Sequence, residues 1–258
     1  MIKVMTGFSG PGGSTVAFNN LVNLFNKNGL DACLYGPQAW DGITCRFSRT
    51  MSPPTPNKED TVIYHFMKQP EAPCKKLILS CHETELFPIK RIPDLKYDEV
   101  HFVSEFQKKY QGVPGTVIPN VINKYKQPKV FPTHKVAGII GSIDKNKQVH
   151  VSIDRALRED IHRVEIWGSI SDFNYFNQEV LPKLGPRVSY HGVSNNMQEV
   201  YDRLSVVYAS SKLECLPTIH GECLQLGIPY KGLSQSKRAV TDYEFDDDAI
   251  MAKWNEIL

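Results

Sequence analysis

Short apolar runs alternate with stretches of helical spacing along nearly the whole chain, and they do so twice. Such alternation confines a chain to α/β architectures with parallel sheets. Parallel neighbours need a crossover connection of about a dozen residues or more, which a helix supplies. In the first half, strands are expected over 2–5, 32–35, 62–66, 77–81, 100–103 and 117–118. Phe18, Leu21, Val22 and Phe25 recur as one helix face ended by Gly29, and 105–111 reads as a short helix. Residues 120–134 carry prolines and charge without periodicity, which marks a linker. The alternation restarts with strands at 136–140, 164–167, 188–190 and 206–209. Helices are expected on Val149, Ile153, Ala156 and Leu157, around 176–184, and over 197–204. Two doubly wound parallel sheets follow, in domains 1–129 and 130–240, with an amphipathic helix over 241–258. No sequence repeat links the halves. In the tail, Ile250, Trp254, Ile257 and Leu258 share a stripe, and Asp246 to Asp248 read as helix caps rather than metal ligands.

At 258 residues, 41% hydrophobic and 22% charged, the chain has the composition of a water-soluble globular protein. No apolar run approaches the ~20 residues that span a bilayer, and the N-terminus lacks the apolar core of a signal peptide. Six cysteines without a CxxC pair suggest reduced thiols in a cytoplasmic protein and argue against zinc. Residues 1–129 hold 16 basic and 11 acidic residues, a net +5, whereas residues 130–258 hold 14 and 17, a net −3. An anionic partner on the first half (DNA, a lipid phosphate or a glycan) would gain from that field, although solvated lysines explain any single pair.

Two carboxylates seven residues apart, Glu214 and Glu222, follow the strand at 206–209. Pro217 suits a first helical turn, and Ile219, Cys223 and Leu226 continue it to Gly227 and Pro229. Glu214 therefore belongs to the loop at a strand's carboxyl end, with Glu222 about one turn into the next helix. Ligands of open α/β sheets bind at that edge, where a carboxylate can take ribose hydroxyls and a helix N-terminus faces phosphate. An ordinary surface Glu with a helix-face Glu explains the spacing equally well.

Gly7, Gly10, Gly12 and Gly13 form a turn that fits neither a Walker loop, which needs lysine where Gly13 stands, nor the dinucleotide fingerprint. It would let a ligand approach the backbone, or simply serve as a tight turn. Gly141 to Lys147 holds the equivalent position in the second half, where the lysine could reach a diphosphate. His65 and His82 fall at neighbouring strand ends, each able to donate a hydrogen bond to a sugar hydroxyl or phosphate oxygen.

Taken in order, these pieces resemble the nucleotide-sugar glycosyltransferases of the GT-B fold, most closely those of family 4. Gly10-Pro-Gly-Gly13 looks like that family's N-terminal glycine loop, and Ser80-Cys-His-Glu83 like its strand ending in His-Asp. Phe102-Val-Ser-Glu105 with Val117-Ile-Pro-Asn120 resembles its VSE and VIPNGVD stretches. Gly141 to Lys147, Val164 to Gly168 and Val188 to Gly192 resemble GRLxxxKG, LxIxG and VxFxG. Glu214 to Glu222 with Gly227-Ile-Pro229 matches Glu-x7-Glu followed by AxGxP.

The resemblance implies two Rossmann-like domains facing a cleft. It also implies transfer of a sugar from a nucleotide diphosphate with retention of configuration, without cofactor or metal. It places Glu222 on the ribose, Lys147 on the diphosphate and Glu214 beside the transferred sugar. His82 would meet sugar or leaving phosphate from the first domain. Gly12, Gly13, Gly168, Pro217 and Thr218 would line the donor. Ser142 stands where the family has arginine, so diphosphate binding would lean on Lys147, with Lys145 nearby. Val121 replaces a glycine, Leu216-Pro217 replaces Phe-Gly, and the second domain is short after Pro229. Two alternatives stand beside sugar transfer to an acceptor whose identity the residues leave open. One is a virus-type enzyme acting on hydroxymethylated bases in DNA, and the other is a non-catalytic nucleotide binder.

Overall fold

A computed structural model of the protein describes residues 1–8, 10, 12–65, 70–83, 92, 95–127 and 135–258. Residue 66 of the expected strand 62–66 and residues 128–134 of the expected linker lie outside the described residues. The chain forms two compact units, Met1–Ile122 with Thr241–Leu258, and Asn123–Val240.

In the first unit the strands are β1 (Ile2–Thr6), β2 (Ala32–Gly36), β3 (Phe47–Arg49), β4 (Thr61–His65), β5 (Lys76–Cys81), β6 (Glu99–Phe102) and β7 (Thr116–Val117). They pair in parallel in the order β3-β2-β1-β4-β5-β6-β7. Helix α1 (Gly13–Lys27) crosses from β1 to β2, and α2 (Glu105–Gln111) from β6 to β7. The central strands are buried along their length, because helices cover a parallel sheet and its strands become continuous apolar runs. Phe18, Leu21, Val22 and Phe25 of α1 pack on Val4, Leu34, Ile63 and Ile78. Ile250, Met251, Trp254 and Ile257 of the C-terminal helix (Asp247–Ile257) join the same core. Trp254 meets the Phe25 ring edge-on at 5.5 Å. Asp246 caps that helix by accepting from the Asp248 amide at 3.0 Å, as the acidic run predicts.

The second unit repeats the topology with five strands: β8 (Val136–Ile140), β9 (Arg163–Trp167), β10 (Val188–Gly192), β11 (Val206–Ala209) and β12 (Tyr230–Gly232). Their order is β10-β9-β8-β11-β12, all parallel. Helices α3 (Val149–Arg158), α4 (Phe173–Tyr175), α5 (Met197–Asp202) and α6 (Thr218–Leu226) form the crossovers. In each sheet the strand order reverses beside the first strand, between β1 and β4 and between β8 and β11. Those reversals are where open α/β sheets take ligands.

Two expectations are corrected. The helix expected around 176–184 is α4 continued by a π turn, Phe176–Val180, and a 3-10 turn, Leu181–Lys183. Pro182 sits in that last turn without an amide proton to extend the α ladder. Pro217 caps α6 from outside, and the helix begins at Thr218. The edge strands β3 and β12 were not anticipated. Phe-Ser-Arg and Tyr-Lys-Gly are too short and polar to show a period. None of the six cysteines forms a disulfide, and four of them are buried. No helix among the described residues is long and apolar enough to cross a membrane.

Candidate active site

In the second unit, Lys147 and Glu214 stand at the strand-order reversal. Glu214 lies in the loop after β11, and Lys147 in the turn after β8, the neighbouring strand. The turn is built by Asp144. Its carboxylate accepts from the amides of Asn146 at 2.9 Å and Lys147 at 2.8 Å, and from Ser142 Oγ at 2.6 Å. Asn146 ties the two loops together. Its backbone carbonyl accepts from the Lys212 amide at 2.8 Å, and its side chain exchanges bonds with the Leu213 carbonyl and amide. The result is a direct ion pair between Lys147 Nζ and the Glu214 carboxylate. Burial works to depress the Lys147 ammonium, but Glu214 and then Asp144 outweigh it and hold it above the usual lysine value. The lysine is therefore cationic throughout the neutral range.

Arg238 supports the same loop from behind. Its guanidinium donates to the carbonyls of Glu214 and, at 3.0 Å, of Cys215. Asp144, Asn146 and Arg238 were not singled out from the sequence. Asp144 and Asn146 carry a turn-forming signal in their spacing before Lys147, whereas Arg238 bonds backbone carbonyls that no residue pattern reveals.

The other expected donor residues divide. Thr218 opens α6, and Pro217 O accepts from the His220 amide at 3.0 Å. Ser142 is bound to Asp144, as above. Lys145 is largely exposed and pairs with Asp172 at 3.8 Å, not with Glu214. Gly168 has φ +141°, and a Cβ there would overlap the Gly141 carbonyl. Close approach of strand ends alone thus requires that glycine. Glu222 is only 3% exposed. Its Oε1 accepts from Asn123 Nδ2 at 2.9 Å, and its Oε2 from the Tyr201 hydroxyl. Burial pushes the Glu222 carboxyl up to about 7, against the lowering effect of those two bonds.

In the first unit, the glycine turn is organised by Thr15. Its hydroxyl accepts from the Gly12 amide at 2.8 Å and donates to the Gly10 carbonyl at 2.9 Å. A Cβ on Gly13 would meet nothing within 4 Å, so packing does not demand glycine there. His65 ends β4 and His82 follows β5, with their ring centroids 5.1 Å apart. His65 Nδ1 donates to the Ser80 carbonyl at 2.9 Å, and its Nε2 lies 3.0 Å from Glu83 Oε2. His82 Nε2 is 3.1 Å from Ser80 Oγ, which is 2.8 Å from His101 Nδ1. Burial first, then the neighbouring His65 and His101 rings, pushes His82 far below the usual histidine value. Burial likewise brings His101 down to about 4. No group of three or more His, Cys, Asp or Glu able to hold a metal ion occurs among the described residues.

No family model matches the sequence, and no curated protein does at the level of sequence. Solved structures do match the fold. HepE from Anabaena, solved with UDP and glucose, superposes at a TM-score of 0.69 and 13% identity, covering 90% of this chain and 80% of that one. WaaG, a glycosyltransferase of lipopolysaccharide biosynthesis, gives 0.68 at 11% identity, covering 100% and 90%. TarM gives 0.59 at 14% identity, and the match spans 78% of this chain but only 55% of TarM's length. The fold is thus the GT-B fold of glycosyltransferases.

Proposed function

We propose that the protein is a glycosyltransferase that moves a sugar from a nucleotide diphosphate to an acceptor hydroxyl, with retention and without a metal ion. The Lys147–Glu214 pair carries this reading, because it sets an ammonium beside a carboxylate at the carboxyl edge of β8 and β11. Breaking the anomeric bond leaves growing negative charge on the diphosphate. A fixed ammonium favours that state over the ground state, and the N-terminus of α6 adds its partial positive charge. Glu214 then stands beside the sugar whose anomeric carbon becomes electron-poor. In this scheme residues 130–240 hold the donor. Residues 1–129 present the acceptor, whose class the +5 charge inclines toward an anion (DNA, lipid phosphate or glycan).

HepE was solved with UDP and glucose, so UDP-sugars head a donor panel. The test is release of free nucleoside diphosphate from that panel, with and without chelator. Turnover that survives chelation and falls about 100-fold or more in Lys147→Met is expected. A flat response to every donor would remove the reading. A second reading, nucleotide binding without turnover, is favoured by one observation: Glu222 already has both oxygens engaged by Asn123 and Tyr201. It predicts donor-dependent stabilisation with no product.

A further inference from the structure

The relay behind His82 fixes which of its nitrogens carries the proton. At the far end of the relay the partner's role admits no choice. His101 Nε2 lies 2.8 Å from the Ile118 carbonyl, which can only accept, so Nε2 bears the hydrogen. In a neutral imidazole Nδ1 is then a bare lone pair. Ser80 Oγ, 2.8 Å away, must spend its single proton on that lone pair. The hydroxyl is left as an acceptor toward His82 Nε2 at 3.1 Å, and so His82 Nε2 is protonated. His82 Nδ1 is what remains. It is buried and has no hydrogen-bond partner among the described residues. Ser80 is fully buried and His101 nearly so, which shields the relay from water that could scramble it. The low basicity of both rings keeps each of them neutral.

We propose that Ser80 and His101 are positioning residues that lock His82 in the Nε2–H tautomer, so that its Nδ1 can only accept a hydrogen bond. The group that meets Nδ1 in a bound state is then a donor, a sugar or acceptor hydroxyl, and not a phosphate oxygen. This reverses the donor role expected for His82 from its strand-end position. A bare acceptor left buried is costly, and a hydroxyl seated against it regains that energy. The tautomer stands on the relay alone, and only the identity of the hydroxyl rests on the glycosyltransferase reading.

The test is nitrogen NMR of the full chain labelled with ¹⁵N-histidine, with the His82 signals identified through His82→Gln. In the unaltered protein, His82 is expected as a single neutral tautomer with Nδ1 unprotonated across neutral pH. Ser80→Ala is expected to release it to a mixture of tautomers, and Ser80→Thr to restore the single form. A protonated Nδ1 in the unaltered protein, or an unmoved tautomer in Ser80→Ala, overturns the proposal; the first outcome is read on the unaltered protein, with His82→Gln serving only to identify its signals. Addition of UDP-glucose or another donor that the panel identifies should shift Nδ1 alone, as a lone pair gaining a hydroxyl does. A shift at Nε2 instead would overturn the acceptor role. A panel with no active donor, beside an intact tautomer, would sink the transferase reading and leave the relay standing.

Discussion

Replacing Glu222 by glutamine should stabilise the protein at alkaline pH and leave it unchanged at acidic pH. The Glu222 carboxyl is buried and titrates at about 7, against 4.5 for an ordinary glutamate. A group whose folded value is raised binds its proton more tightly in the native state. Its contribution is therefore fully present below about 4.5 and is lost as pH rises through about 7. A gap of about 2.5 units at about 1.36 kcal/mol per unit gives a loss of about 3 kcal/mol above neutrality. Glutamine mimics the protonated acid. Its oxygen accepts from Tyr201, and Asn123 can turn its amide over to accept from the new NH₂ group. Urea unfolding at pH about 4 and about 8.5 measures the effect. The two proteins should agree within about 0.5 kcal/mol at the lower pH, and the variant should exceed the parent by about 3 kcal/mol at the higher. A parent curve flat over that interval, or a variant weaker at both values, would refute the reasoning. Titrating UDP into the same variant separates two roles. Unchanged affinity assigns Glu222 to packing around Asn123 and Tyr201, and a loss of tenfold or more assigns it to the ribose.

Two further substitutions probe the scaffold. Gly168→Ala combines a positive φ with backbone overlap at the Gly141 carbonyl; a loss of about 3 kcal/mol or more in urea unfolding is expected, and a loss under about 1 kcal/mol would mean that the strand ends can separate. Trp254→Ala removes a side chain that is 1% exposed and contacts Phe25 and His101; a destabilisation of about 3–5 kcal/mol is expected, and a neutral result would show that the C-terminal helix contributes little to the first core.

The sheets were legible because burial on both faces turns each strand into a short continuous apolar run, and the helices between them keep their own spacing. Strand 136–140 and helix 105–111 fall where the residues place them, since a Val, Ile and Ala run has few other readings, and the structure adds a Ser104 cap to the helix. The Lys147–Glu214 meeting was legible only as two separate strand-end positions. What joins them is Asn146 pinning residues 212 and 213, together with Arg238 on two carbonyls, and backbone partners leave no trace in a residue pattern. Glu222 shows the converse failure. The seven-residue spacing places its backbone correctly, one turn into α6, but the spacing cannot say that Tyr201 and Asn123 will close over the carboxylate. Histidine 82 is the sharpest case, because its chemistry is decided three bonds away by the Ile118 carbonyl. A strand-end histidine reads as a donor until the chain of partners is followed outward, and the partner that decides lies on another stretch of backbone. Residue type and spacing thus locate a site in an α/β sheet, while the protons in it are assigned by carbonyl groups that every sequence possesses.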